Sequence, residues 1–307
     1  MRKRHQRGVL LLSVAIILSI IAALAFVMNR AGAMNAQAVE AQYDTEVARY
    51  LAESGLSLAK WRNEQAGCNS QSALAPTSLP GIGSFSATVS RESSRTLDIV
   101  STGTSNRGAR FQISRMNVVV HNLGRPTNVT LSGAQPGTIS DTYLDSDSPN
   151  LSTDGSRYLE LTQGETTALL QFSLASIPSG SSIIKADLKL VQYQSNSTQP
   201  SQVVSVHRVL RDWDAPAATW ASAKLLTPWA VAGGDYGGGN VAVATINGNQ
   251  SYTWSIVALL DGWVNNTLPN YGLLLKPDGP LQQARFASEE NSTSSKPSID
   301  VSYLPPC

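Results

Sequence analysis

The sequence predicts an α+β fold that is mostly β. A long amino-terminal helix, transmembrane in its first half and amphipathic in its second, carries a small antiparallel sheet, and a β-sandwich of jelly-roll kind follows. Three observations predict this. Val9 to Met28 is 20 residues with no charge and no proline. A helical repeat continues beyond it to Trp61. From residue 84 onward, short alternating apolar runs are separated by Gly, Pro, Asn and Ser.

At 1.5 Å per residue the first run spans roughly the 30 Å hydrocarbon layer. Arg2, Lys3, Arg4 and Arg7 precede it, so its start is expected on the cytoplasmic side and the rest across the membrane. Further on, Val39, Tyr43, Val47, Tyr50, Leu51 and Leu58 recur three or four residues apart, with Glu40, Asp44, Glu46, Arg49 and Glu53 between them. No proline occurs before Pro76, and Gly32 and Gly55 only weaken a helix. A secretory signal, with Ala31-Gly32-Ala33 imitating its cleavage pattern, and a simple single-pass anchor are the competing readings of this run.

Charged residues make up 15% of the chain and the formal net charge is +1, which gives no electrostatic case for nucleic-acid binding. The two cysteines are Cys68 and Cys307. An exported chain meets an oxidising compartment, so a Cys68–Cys307 disulfide is one expectation, with free thiols or intermolecular bonds as the others. Residues 69–82 read as a loop from their Pro, Ser and Gly. Strands are expected at 84–91, 96–104 and 109–120. Three strands are too few to stand alone, so helix and sheet are expected to be one folding unit over 9–120. HNLGRPTNVTLSGAQPG at 121–137 reads as a linker, and 138–307 as the sandwich, with a short helix over Ile256 to Val264.

Five of the six tryptophans fall in that last region. Trp213, Trp220, Trp254 and Trp263 lie in apolar context and read as core. Trp229 and Tyr236, in PWAVAGGDYGGGN with Asp235 beside Tyr236, read as a surface ligand site, because that loop is too rich in Gly and polar groups for a core. Aromatic faces there would stack on sugar rings while neighbouring Asp, Asn or Arg take the hydroxyls. Asp145, Asp147 and Asp154, with Asp141 and Asn150, crowd one strand and its loop; either a solvated acidic loop or a Ca²⁺ site follows from such oxygen donors. No other cofactor is expected. No nucleophile motif or zinc spacing accompanies His5, His121 or His207, and Glu289-Glu290 point to opposite faces of a strand, so no enzyme is expected.

An apolar run that passes directly into an amphipathic one, behind MRKRHQRG and VLLLS, resembles a type IV pilin or pseudopilin. AESGLSLAKW at Ala52 to Trp61 and DIVSTGTSNRGARFQISRMNVVV resemble the PilX-type minor pilins. The resemblance implies a leader of residues 1–8, cut by a prepilin peptidase between Gly8 and Val9, and a fibre-core helix beginning at Val9, with Ser13 and Met28 within it. Ser13 stands where most pilins carry a Glu that docks each subunit on its neighbour, which implies a minor or tip subunit among other pilins. It further implies an inner-membrane single-pass form with a periplasmic carboxy terminus, later displayed on a pilus or type II secretion fibre.

The region after 138 closely resembles the DNRLRE domain, whose members include carbohydrate-binding modules. The ordered marks are Phe172, Leu174, Ile177-Pro178, Trp213, Thr219-Trp220, Gly233-Gly234-Asp235, Trp254, Trp263, Asn270-Tyr271-Gly272, Ser288-Glu289 and Pro297, with Asp214 a departure. Together the resemblances imply a fibre subunit that displays a β-sandwich for adhesion or binding of a polysaccharide or surface glycan. An assembly factor whose β domain packs only with other minor pilins, and a secreted or membrane-anchored carbohydrate-binding protein with no fibre, are the alternatives.

Overall fold

The structure is a computed structural model. It describes residues 6–67, 73–91, 96–133, 138–193, 201–279, 283–292 and 296–307, and within the first helix the side chains of 18–28, 30 and 37 onward. The chain divides into two compact units, one of Met1–Asn63 with Asn69–Val118, the other of Glu64–Cys68 with Val119–Cys307.

The first unit is built on α1 (Gln6–Gln65) and a meander of β1 (Leu74–Leu79), β2 (Gly83–Arg91), β3 (Thr96–Ser105) and β4 (Arg110–Val119), in the order β1-β2-β3-β4. The expected long helix is unbroken over 60 residues, but its membrane-spanning half is not upheld. Among the described residues no helix is long and apolar enough to cross a membrane. The transmembrane fold class and the single-pass inner-membrane location are therefore corrected together. Gly8, Val9 and Ser13 belong to the α1 backbone, and their side chains lie outside the described residues.

The buried face of α1 also differs from the expected one. Of the expected positions Leu51 is buried and Val47 and Leu58 are half-buried, but Val39, Tyr43 and Tyr50 are exposed, and Ala48, Ala52, Gly55 and Ala59 make up the rest of the buried face. Small residues form this stripe because the sheet comes very close. A Cβ on Gly103 of β3 would stand 2.0 Å from the Ala48 carbonyl oxygen and 2.5 Å from the Ala52 nitrogen. One on Gly55 would stand 2.4 Å from Ser101 Oγ. Gly55 thus serves helix–sheet contact rather than merely weakening the helix. β1 occupies part of the expected loop; it is an edge strand whose register breaks between Leu74 and Thr77, around Pro76, which has no N–H to give a ladder.

The second unit contains β5 (Thr127–Ser132), β6 (Ile139–Asp145), β7 (Tyr158–Leu161), β8 (Thr166–Phe172), β9 (Ser182–Val191), β10 (Gln202–Arg208), β11 (Ser222–Lys224), β12 (Thr227–Pro228), β13 (Ala242–Ile246), β14 (Ser251–Ser255), α2 (Val257–Val264), β15 (Leu273–Pro277), β16 (Ala284–Ala287) and β17 (Ser298–Leu304). Two antiparallel sheets, β13-β10-β15-β8-β6 and β14-β9-β17-β5, form a sandwich, with β11-β12 and β16-β7 as ribbons. β5 lies inside the stretch read as linker; it pairs with β17 through Ser298↔Ser132 to Tyr303↔Thr127. Val129 and Leu131 alternate there, but flanking Pro and Gly obscured the pattern.

The main core lies between the sheets, around Phe172, Leu188, Leu190, Val204, Val206, Trp254, Phe286 and Ile299. The indole N–H of Trp254 on β14 donates to the Val204 carbonyl on β10 at 3.0 Å, so one side chain ties both sheets. A second core lies on the other face of the five-stranded sheet, where Leu144, Leu169 and Leu274 meet Val209, Trp213, Ala218, Ala223 and Trp229. Covered on both faces, β8 is buried almost continuously along TTALLQF, as strands between two layers are. The carboxy terminus is tied down: Cys307 is disulfide-bonded and its N–H donates to the Val120 carbonyl at 3.0 Å. The other cysteine of the sequence, Cys68, lies outside the described residues.

Candidate functional site

The segment that follows β10 and the Gly-rich loop of residues 230–237 run side by side. Leu210 N–H donates to the Asp235 carbonyl at 2.8 Å and Gly237 N–H to the Arg208 carbonyl at 2.9 Å, while Val209 bridges to Tyr236. The loop takes this path because of Gly233, whose φ is +90° and where a Cβ would meet the Trp220 ring at 2.7 Å. Gly233 N–H also donates to the Trp220 carbonyl at 2.8 Å, and its own carbonyl accepts from Thr167 Oγ1 at 2.9 Å.

A cleft of about 660 Å³ opens along this pair of segments, lined by Leu210, Arg211, Asp212, Val231, Asp235, Tyr236 and Tyr271, among others. The Asp235 carboxylate organises it. It accepts from Arg211 Nε at 2.6 Å, from Ala230 N–H at 3.1 Å and from Val231 N–H at 2.9 Å. Burial opposes ionisation of Asp235, and the two N–H groups with Arg211 outweigh it, so its carboxyl sits below the ordinary carboxylate range. Arg211 is thereby held by one nitrogen, with its guanidinium on the cleft wall. Tyr271 is placed by Trp213, whose indole N–H donates to the Tyr271 carbonyl at 2.8 Å.

Tyr236 packs on His207, ring centroids 4.8 Å apart, and Lys276 Nζ stands 5.4 Å from its centroid. His207 Nδ1 faces the Gly237 carbonyl at 3.0 Å and so carries the hydrogen; Nε2 lies 3.0 Å from Ser205 Oγ, whose hydroxyl also reaches the Lys276 carbonyl at 3.2 Å. Ser205 is 0% and His207 4% exposed, so this pair supports the loop from beneath and meets no substrate. Sequence reasoning passed over it, although residues two apart on a strand share a face.

Of the expected ligand residues, Asp235 and Tyr236 line the cleft, and Trp229 does not. Trp229 is 5% exposed in the second core, its indole N–H donating to the Thr219 carbonyl at 2.8 Å. It belongs to the cluster of Leu144, Leu169, Trp213 and Leu274, so a tryptophan in polar sequence context is a core residue. Trp213, Trp254 and Trp263 are buried, and Trp220 is half-buried over Gly233. Arg211 and Tyr271 are the cleft residues missed in that search; RDWD and NYG carried no spacing signal that marked them.

The acidic residues do not converge. Among the described residues no three His, Cys, Asp or Glu side chains gather to hold a metal ion. Asp145 Oδ1 accepts from Asp147 N–H at 2.9 Å, an Asx turn, while Asp147 and Asp154 are exposed. Asp141 is 3% exposed. Burial first, then Glu290 and the charges of Glu289 and Asp154, push its carboxyl up to about 8, against the pull of the Glu289 N–H that donates to it at 2.9 Å.

The second unit is thus a β-sandwich with an aromatic, ion-paired cleft on one flank. No family model matches this chain, and no curated protein does. Among solved structures, one match comes from work on the promiscuous specificity of carbohydrate-binding modules of the β-sandwich superfamily. It is 10% identical, covers 76% of this chain and 96% of that one, and has a TM-score of 0.17. At that score the likeness carries no argument.

Proposed function

We propose that this chain is a minor subunit of a type IV pilus-like fibre and that its β-sandwich binds a carbohydrate, without catalysis. One observation carries the binding reading: the cleft sets Tyr236 and Tyr271 beside an Arg211–Asp235 pair fixed at 2.6 Å. Sugars are held by an apolar aromatic surface with a few fixed polar groups for the hydroxyls. The fibre reading is supported by α1, where Leu24 is 57%, Phe26 67% and Met28 73% exposed. Contiguous apolar surface of this kind calls for cover, and helices of neighbouring subunits would supply it.

Titration of the full chain against a panel of soluble polysaccharides tests the binding part. Tyr236→Ala and Arg211→Ala should each weaken binding by about tenfold or more, the loss of ~1.4 kcal/mol or more. Leu24→Asp should leave binding intact and remove the protein from sheared fibres. Absence of binding across the panel, or cleft variants that bind like wild type, would sink the glycan reading; Leu24→Asp chains recovered in fibres would sink the other.

A further inference from the structure

We infer that the cleft beside Asp235 takes an acetamido sugar, the N-acetylated amino sugar of a neutral polysaccharide; this rests on the carbohydrate-binding reading above and names the sugar. An acetamido group brings a carbonyl oxygen that accepts, an N–H that donates and a methyl group that leaves water. The cleft holds a counterpart to each. The donor is Arg211, whose Nε is taken up by Asp235 at 2.6 Å while neither terminal nitrogen has a protein acceptor among the described residues. A guanidinium presents its N–H groups in a fixed fork, so the outer ones stay available and are aimed by the Asp235 anchor. The acceptor is Asp212: its Oδ2 takes the Lys224 ammonium, and its Oδ1 has no donor among the described residues. Leu210 and Val231 receive the methyl. They line the same cleft and are 46% and 66% exposed. Both are tied to Asp235, Leu210 by its N–H to the carbonyl at 2.8 Å and Val231 by its N–H to the carboxylate at 2.9 Å. Aliphatic and polar groups therefore meet around one residue.

The same residues select against the other classes of sugar. The ions of the cleft are paired, Arg211 with Asp235 and Asp212 with Lys224. Lys276, which meets the Tyr236 ring, is not among the lining side chains. No surplus cation is left to draw a uronic or sulfated sugar, and no surplus anion to draw a free amine. A plain glucose unit offers ring faces to Tyr236 and Tyr271 but no methyl to Leu210 and Val231. A deoxy sugar with a methyl group brings no amide for Arg211 and Asp212. Polar groups left without their partner are what make a site reject such analogues.

Calorimetric titration of the full chain tests this with oligosaccharides of one length and linkage, built from N-acetylglucosamine, glucosamine or glucose. The N-acetylated one should bind at least about tenfold more tightly than either of the others. Val231→Ser and Asp212→Ala should each narrow that ratio to about threefold or less. They lie on different segments, which guards against a folding defect in one of them. Asp212→Asn keeps an acceptor for the amide N–H and should hold the ratio. Equal binding of the three, tighter binding of a uronic-acid oligosaccharide of the same length, or a ratio unmoved by both Val231→Ser and Asp212→Ala would overturn the inference and leave the chain a carbohydrate binder. If no saccharide of the wider panel binds, the carbohydrate reading itself fails, and this inference with it.

Discussion

Arg211 Nε donates to Asp235 Oδ2 at 2.6 Å, and the same carboxylate receives the N–H groups of Ala230 and Val231. A single side chain therefore closes the loop and aims the cation of the cleft. The arrangement depends on ionised Asp235. Its folded carboxyl titrates below the ordinary value, so the stability it contributes is present above about pH 4 and is lost as pH falls through the folded value.

Asp235→Ala should accordingly reduce both loop order and stability. It leaves two N–H groups and a guanidinium without their acceptor, at a cost of about 1–3 kcal/mol. Chemical denaturation at pH 7 and at pH 3 measures this. The difference between variant and wild type should shrink at the lower pH; an equal difference at both would show that the charge is not responsible.

Asp141 has the opposite sign. Its folded carboxyl keeps its proton up to about 8, chiefly because it is buried and Glu290 is near, whereas the unfolded one titrates at its ordinary 3.8. The stability it contributes is complete below that lower value and declines as pH rises towards the upper one, by an amount on the order of a few kcal/mol. Asp141→Asn can still accept from the Glu289 N–H and does not ionise. Thermal melts from about pH 5 to about pH 8 should fall more steeply for wild type than for the variant; parallel curves would rule out Asp141 as the source.

Trp229→Ala should behave as a core deletion, costing about 3–5 kcal/mol, because Trp229 is 5% exposed and packs with Trp213 and Leu274. Denaturant titration checks it. A loss of glycan affinity at unchanged stability would return Trp229 to the surface site.

Gly103→Ala should separate β3 from α1. The added methyl meets backbone at 2.0 Å, and neither the helix nor the central strand can yield without losing the Ala48–Ala59 stripe. Such overpacking costs at least about 1–3 kcal/mol. Hydrogen exchange should show faster exchange in β2 and β3 with the sandwich strands unchanged. Protection equal to wild type would contradict the close approach.

The sequence by itself determined the long helix, the strands β2 to β4, most strands of the sandwich and the short helix α2. In each of these, apolar spacing is local and needs no partner to be seen. It also placed Trp213, Trp254 and Trp263 in the core, since large apolar surface in strand or helix context has few other places to go.

Tertiary structure decided the rest. Periodicity picked out Val39, Tyr43, Val47, Tyr50, Leu51 and Leu58 on α1; of these only Leu51 is fully buried, and the sheet packs mainly on Ala and Gly, because the close approach at Gly103 favours small residues. β5 was hidden among turn formers until β17 offered it a ladder. Trp229 became core by joining Trp213, Leu169 and Leu274 on the outer face of the five-stranded sheet, and Arg211 became a cleft residue when Asp235, distant in sequence, held it. A pairing across sheets or between loops leaves no repeat along the chain, so only the folded arrangement reveals it.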